Sequence, residues 1–64
     1  MTNIQRIRKE KGISVTELSE RSEVNIRMIR YYESGYKDIN KAEALSVYKI
    51  ANVLNCTVGD LLEL

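Results

Sequence analysis

Residues 25–35 read NIRMIRYYESG. Two arginines, two tyrosines and three large apolar side chains share this stretch. It is bounded by Asn25, a good helix N-cap, and by Gly35, a good helix stop. The pattern predicts a helix over residues 26–34. A helix of this composition is either a core helix that carries charge, or a helix whose outer face contacts a partner.

The two sides of this helix differ in character. At about 100° per residue, one side carries an apolar set typical of a buried core, Met28, Ile29 and Tyr32. The other side carries Ile26, Arg27, Arg30, Tyr31 and Ser34, with Glu33 at the boundary. The outer set and the first helical turn contain no acid, as expected for a helix that presents its N-terminus to phosphate. Arginine can fork onto guanine or phosphate, tyrosine can donate to phosphate, and isoleucine can contact a thymine methyl.

Helix start and stop signals recur on both sides of this stretch. A short polar residue stands three positions before Gln, Glu or Asp, as in a capping box, at Thr2, Ser14, Asn40 and Thr57. Residues that tolerate a left-handed conformation and so end a helix are Gly12, Gly35 and Asn55. The signals predict helices over residues 2–11, 15–22, 26–34, 41–54 and 58–63.

Apolar residues at helical spacing give each remaining helix a buried face. The predicted faces comprise Ile4, Ile7, Leu18, Ala44, Val47, Tyr48, Ile50, Ala51, Leu54, Val58, Leu61 and Leu62. Five short amphipathic helices can share one core, so the chain is interpreted as one all-α domain over residues 1–64. The second and third helices, joined by a tight turn, form a helix-turn-helix. The third helix of the chain, which is the second of this motif, would enter the DNA major groove.

The composition excludes several classes of protein. The chain has 64 residues, 44% apolar and 30% charged, with no apolar run long enough to span a bilayer and no secretory signal, so a cytoplasmic protein is expected. With no histidine and a single cysteine, Cys56, it has no disulfide and no zinc set, and Cys56 is predicted to be a small buried hydrophobe. No cofactor, small-molecule ligand or enzymatic activity is expected.

Charge is unevenly distributed, although the net charge is only +1. Residues 1–37 carry eight basic and five acidic side chains, whereas residues 38–64 carry two basic and four acidic ones. The basic part contains the opening stretch, which indicates an anionic partner.

The chain as a whole resembles a known family. Residues 6–35, RIRKEKGISVTELSERSEVNIRMIRYYESG, resemble the Cro and phage-repressor type (XRE) helix-turn-helix family. The matching positions are Ile7, Arg8, Lys11, Gly12, Ile13, Ser14, Leu18, Val24, Ile29, Tyr32, Glu33 and Gly35. Residues 44–64, ALSVYKIANVLNCTVGDLLEL, resemble its last two helices at Ala51, Leu54, Thr57, Asp60, Leu61 and Leu62. The resemblance implies a lambda-repressor-like five-helix bundle that binds double-stranded DNA.

The same resemblance implies roles for individual residues. The positions aligned with base readers are Ile26, Arg27 and Tyr31. Candidates for contact with the DNA backbone are Thr16, Asn25, Arg30, Lys37, Asn40 and Lys41. Arg8 and Glu33 match a structural ion pair between the first and third helices.

Three positions depart from the family pattern, and one of them is Asn25, which stands in the turn where serine is commoner. Val15 stands where the family often has a glutamine that contacts phosphate, and Thr16 beside it offers only a hydroxyl. Glu23 stands in the turn where glycine is common, which predicts strain or a different turn geometry.

Three functions are compatible with the pattern. The preferred one is a small Cro-like repressor that occupies a promoter as a homodimer on a pseudo-palindromic operator, with Leu62 and Leu64 as candidates for the contact between copies. The alternative is an antitoxin-like or adaptor module that uses the same bundle to bind a protein. A lesser alternative is a MerR-type DNA-binding fragment, since Arg30-Tyr31-Tyr32-Glu33 resembles that family too.

Overall fold

Five α-helices and no strand make up the fold. The computed structural model describes residues 1–64 throughout. The helices are α1 (Asn3–Glu10), α2 (Val15–Ser22), α3 (Ile26–Ser34), α4 (Ala44–Leu54) and α5 (Val58–Leu61), with a 3₁₀ turn at Ile39–Lys41 before α4. The all-α five-helix bundle predicted from the sequence is confirmed. None of the helices has both the length and the apolar character that crossing a bilayer requires.

Besides Asn25, three of the four predicted capping-box signals are helix N-caps. The Thr2 hydroxyl accepts a hydrogen bond from the Gln5 N–H at 3.4 Å, and the Ser14 hydroxyl accepts one from the Glu17 N–H at 3.0 Å. Thr57 begins α5 with a complete capping box, described below. In each case a side-chain oxygen satisfies an N–H that has no partner inside the helix.

The fourth predicted start signal is wrong. Helix α4 begins at Ala44, and its N-cap is Glu43, whose side chain makes no capping bond. Asn40 instead lies in the 3₁₀ turn, and Ala42 is extended at φ −71° and ψ 159°. Asn40 is unavailable as an α4 cap because its carboxamide bonds to the backbone of Glu63, 23 positions along the chain.

Two other helices are shorter than predicted. α1 lacks the predicted first and last positions, because Thr2 is its N-cap and Lys11 its C-cap. α5 ends at Leu61 because Leu62 is extended at φ −72° and ψ 149°. The extended segment that follows supplies backbone groups to other parts of the chain, as described below.

The core draws on all five helices. Its six fully buried large side chains are Ile4, Leu18, Ile29, Ile50, Leu54 and Leu61. Helix α2 packs against α3 and most extensively against α4, while α1 packs against α3 and α5. This packing fixes the angle between the two helices of the helix-turn-helix.

The predicted buried face of α4 is partly wrong. Its buried residues are Val47, Ile50, Ala51 and Leu54, whereas Ala44 and Tyr48 are exposed. Tyr48 points about 110° away from the centre of the buried set at 100° per residue. It lies instead on the solvent side, three positions after the exposed Leu45.

An ion pair joins α1 to the end of α3. Arg8 Nε donates to Glu33 Oε2 at 2.6 Å and Arg8 Nη2 to Glu33 Oε1 at 3.0 Å, with side chains only 11% and 7% exposed. The third guanidinium nitrogen, Nη1, donates to the Ile13 carbonyl at 2.9 Å. The hydrogen bond to Glu33 raises the pKa of Arg8 above its ordinary value. Such a forked, nearly buried pair sets the position of the end of α3.

Candidate nucleic-acid interface

The turn between α2 and α3 is held by short-range hydrogen bonds. Glu23 adopts the left-handed conformation at φ 62°, and its N–H donates to the Ser19 carbonyl at 2.9 Å. The Ser19 hydroxyl donates to the Val24 carbonyl at 2.7 Å, and the Ser22 hydroxyl accepts from the Val24 N–H at 3.2 Å. Val24 itself is buried. The turn thus fixes the orientation in which α3 lies at the surface.

Helix α3 divides into an inner and an outer side. Ile29 and Tyr32 are buried and Met28 is half-buried, as predicted. Glu33, predicted at the boundary, is buried with its partner Arg8. The outer side consists of the exposed Arg27, Arg30 and Ser34 and the half-buried Ile26 and Tyr31.

The start of α3 carries no negative side chain. The Asn25 carboxamide oxygen accepts from the Arg27 N–H at 2.8 Å, and no acid occurs in the first turn. Because the partial positive charge of a helix N-terminus is not offset there, this end of α3 is suited to an anion.

Cations near α3 are free to meet an external anion. The three ion pairs of the molecule are Arg6–Glu10, Arg8–Glu33 and Arg21–Glu17. None of them involves the exposed cations of α3 and of the loop that follows it, Arg27, Arg30, Lys37 and Lys41.

The loop after α3 folds back along that helix. Gly35 adopts φ 81°, a conformation that glycine accepts without strain, and the Lys37 N–H donates to the Tyr31 carbonyl at 3.2 Å. Lys37 Nζ lies 5.8 Å from the centre of the Tyr31 ring, within cation–π range. Lys37 and Lys41 line one groove together with Met28 of α3. The loop thus places Lys37 beside Tyr31 of the outer side, whereas Lys41 lines a groove with Met28 and Tyr32 of the inner side.

Tyr36 belongs to this surface, although sequence reasoning missed it. The residue is 75% exposed, and its ring centroid lies 4.9 Å from that of Tyr31 at a tilt of 45°. The Tyr36 N–H donates to the Ser34 hydroxyl at 3.2 Å, which helps to hold the reversal. The available signal was a tyrosine directly after a helix-ending glycine, since a left-handed reversal returns that residue toward the helix.

The remaining predicted site residues have different surroundings. Thr16 is exposed in the first turn of α2, whereas its neighbour Val15 is half-buried against the core. Asn40 is exposed, but its carboxamide donates to the Glu63 carbonyl at 3.0 Å and accepts from the Glu63 N–H at 2.8 Å. The structure therefore brings Lys37 and Lys41 to the side of α3 and ties Asn40 to another segment.

Cys56 lies outside this surface. It is half-buried rather than fully buried, and it packs against the core. Burial and then the negative charge of Asp60 raise the pKa of its thiol, which disfavours the reactive thiolate. No three His, Cys, Asp or Glu side chains are grouped so that they could hold a metal ion.

Comparison with known proteins gives one match. A family model described as helix-turn-helix matches residues 4–61, from the first buried residue of α1 to the last residue of α5. No curated protein and no solved structure matches the chain.

Proposed function

The chain belongs to the XRE-type helix-turn-helix family of DNA-binding transcription regulators, and on that premise we propose that it is a small Cro-like repressor. It acts in the cytoplasm by occupying a promoter, so that polymerase is excluded, and it performs no catalysis. The observation that carries the proposal is the outer side of α3, which has no acid and is bordered by cations without an ion-pair partner.

Base reading is assigned to the N-terminal part of α3. Arg27, exposed in the first turn, has the forked geometry that binds guanine O6 and N7. Ile26 offers an apolar surface to a thymine methyl, and Tyr31 offers a ring and a hydroxyl one turn further along. These contacts distinguish one base pair from another.

Backbone contact is assigned to the residues around that edge. Arg30 and the loop residues Lys37 and Lys41 neutralise phosphates, while Thr16 and Asn25 donate hydrogen bonds to phosphate from the starts of α2 and α3. Contacts of this kind fix the register of the protein on the duplex and make its affinity depend on salt.

Two copies bind together. One module of this size makes few base contacts, so a pair on two half-sites about one helical turn apart gains both affinity and specificity. Leu62 is half-buried and Leu64 fully exposed, and they supply apolar area for a contact between copies.

The proposal is tested by selecting bound duplexes from a random library, with the wild type and with Arg27→Ala. The expected wild-type product is a pseudo-palindrome with half-sites separated by about ten base pairs. Arg27→Ala should lose the preference at one position in each half-site and keep the others. A wild-type pool with no enriched sequence would contradict the proposal.

A protein-interaction module is the second candidate. It is favoured by Leu45 and Tyr48 of α4, which are both 55% exposed on one side of that helix. An antitoxin-like or adaptor protein could bind its partner through such a surface. Salt separates the two functions, because DNA binding weakens steeply with ionic strength while an apolar protein contact barely responds.

A further inference from the structure

Asn40 and Glu63 form a closed pair between the α3–α4 loop and the segment after α5. The Asn40 amide donates to the Glu63 carbonyl, and the Asn40 carbonyl oxygen accepts from the Glu63 N–H, at 3.0 and 2.8 Å. Both partners on the Glu63 side are backbone atoms. A side-chain amide that meets the N–H and the C=O of one residue holds that residue in a single orientation.

The segment after α5 is itself tied to α1. The Glu63 carboxylate accepts from the Asn3 N–H at 2.6 Å, and the Asn3 side-chain amide donates to the Leu62 carbonyl at 2.8 Å. Residues 62–63 therefore bridge the start of α1 and the loop. Glu63 and Lys37 also line one groove together.

The loop is also held near its start, where the Lys37 N–H donates to the Tyr31 carbonyl at 3.2 Å, and within the 3₁₀ turn, where the Lys41 N–H donates to the Asp38 carbonyl at 3.0 Å. Ile39 is buried, and the Asp38 carboxylate caps the 3₁₀ turn through the Asn40 N–H at 2.9 Å. Lys37 and Lys41 flank this turn, and both are exposed. The Asn40–Glu63 pair supplies the side-chain hydrogen bonds from this turn to a distant part of the bundle, and the buried Ile39 supplies the apolar contact with the core.

We propose that Asn40 is a positioning residue for DNA binding, which acts through the Glu63 backbone to hold Lys37 and Lys41 where they meet phosphate. This inference rests on the proposed function. A loop that is ordered before binding loses less conformational entropy when it contacts the DNA, so the paired loop binds more tightly than a loose one. In this role Asn40 itself makes no contact with phosphate.

The decisive comparison is between Glu63→Pro and Glu63→Ala. Both remove the Glu63 carboxylate, but only proline removes the backbone N–H that donates to Asn40. Leu62 already has the extended backbone that a following proline requires. The two variants therefore differ at the N–H side of the pair, where proline also places its ring against the Asn40 carbonyl oxygen, and residue 40 is asparagine in both.

Affinity is measured by fluorescence anisotropy on the operator duplex at several salt concentrations, with folding verified by circular dichroism. Glu63→Pro and Asn40→Ala should each bind roughly three- to tenfold more weakly than Glu63→Ala, with a shallower dependence on salt. The loss of affinity in each variant should also be non-additive with the loss in Lys37→Ala. A lysine that is already displaced from phosphate contributes little affinity that its removal could abolish. Asn3→Ala, which removes a bond to the neighbouring Leu62 carbonyl, should change thermal stability without changing the salt dependence.

Other results would overturn the inference in distinguishable ways. Equal binding by Glu63→Pro and Glu63→Ala, with weak binding by Asn40→Ala, would make Asn40 a direct phosphate contact. A loss that is additive with Lys37→Ala would place the effect outside the loop, for example at a contact between copies. If the folded wild type has no preference for any duplex, the proposed function fails first, independently of these variants.

Discussion

Glu23 is a residue in a conformation that suits glycine. At φ 62° it lies in the left-handed region, which costs a residue with a side chain about 1–2 kcal/mol. We expect Glu23→Gly to raise the free energy of unfolding by about 1 kcal/mol, the relief of strain being partly offset by the greater freedom of the unfolded chain. Urea denaturation measures the change. Glu20→Gly, at an exposed position inside α2, should instead lower it by a similar amount.

Arg8 and Glu33 depend on each other because both are nearly buried. Replacing either with alanine leaves its partner as an uncompensated charge, which should cost about 3–5 kcal/mol. The double variant should lose clearly less than the sum of the single losses, as measured by a double-mutant cycle on thermal unfolding. The exposed pair Arg21–Glu17, with side chains 52% and 49% exposed, is the control and should couple by less than about 1 kcal/mol. Additive losses at Arg8 and Glu33 would show that the pair is uncoupled.

Arg27 carries the most specific prediction about recognition. Arg27→Ala should lose about 1–3 kcal/mol on the operator and much less on unrelated DNA. Arg27→Lys keeps the positive charge but lacks the planar guanidinium that makes two parallel hydrogen bonds. It should therefore recover non-specific binding without recovering the base preference. Competition titrations with single-base operator variants measure both effects. An equal loss on every duplex would make Arg27 a phosphate contact.

The loop after α3 is the element from which we expect the salt response of DNA binding. Lys37→Ala should weaken binding to all duplexes and reduce the slope of log affinity against log salt by about one. The matched variant is Lys9→Ala, on α1 and outside the proposed interface, which should leave the slope unchanged. An unchanged slope for Lys37→Ala would remove the loop from the interface.

Helix α5 is a single turn that depends on its capping box. The Asp60 carboxylate accepts from the Thr57 N–H at 3.0 Å, and the Thr57 hydroxyl accepts from the Asp60 N–H at 3.1 Å. The hydrogen bond from the Thr57 backbone, followed by the interaction with the Thr57 side chain, lowers the pKa of Asp60. The stabilisation is therefore present above the unfolded-state pKa and is lost as pH falls through the lower folded-state pKa.

This linkage predicts a pH-dependent difference between the wild type and Asp60→Asn. The melting temperature of the wild type should exceed that of the variant at neutral pH, and the two should converge as Asp60 becomes protonated. Thermal unfolding followed by circular dichroism across that pH range measures the difference. A difference that stays constant with pH would show that the charge of Asp60 does not support the cap.

Local sequence patterns predicted the five-helix bundle, whereas long-range contacts decided the helix bounds and side-chain positions that the patterns did not predict. Caps such as Ser14 act within one helical turn, and apolar spacing identifies the inner side of α3. The helices and most of the core could therefore be predicted from the sequence. The family resemblance, confirmed by the helix-turn-helix match over residues 4–61, supplied the arrangement of the five helices and favours the XRE type over the MerR type.

Long-range contacts account for what the sequence did not predict. The start of α4 was misplaced because Asn40 bonds to Glu63, and nothing near Asn40 indicates that partner. Tyr48 was placed in the core because its spacing on α4 is helical, but which side of the helix is buried depends on α2 and α5. Tyr36 was missed because its position depends on the left-handed turn at Gly35.

The outer side of α3, with its adjoining loop, is proposed to bind a specific DNA sequence. The most direct test is fluorescence anisotropy of the purified protein on DNA from upstream of its own gene, with a scrambled duplex beside it, at two salt concentrations. We predict preferential binding to the upstream DNA that weakens steeply at the higher salt. Equal, weak binding to both duplexes, unchanged by salt, would contradict this proposal and direct the search to a protein partner, starting with the exposed Leu45 and Tyr48 of α4.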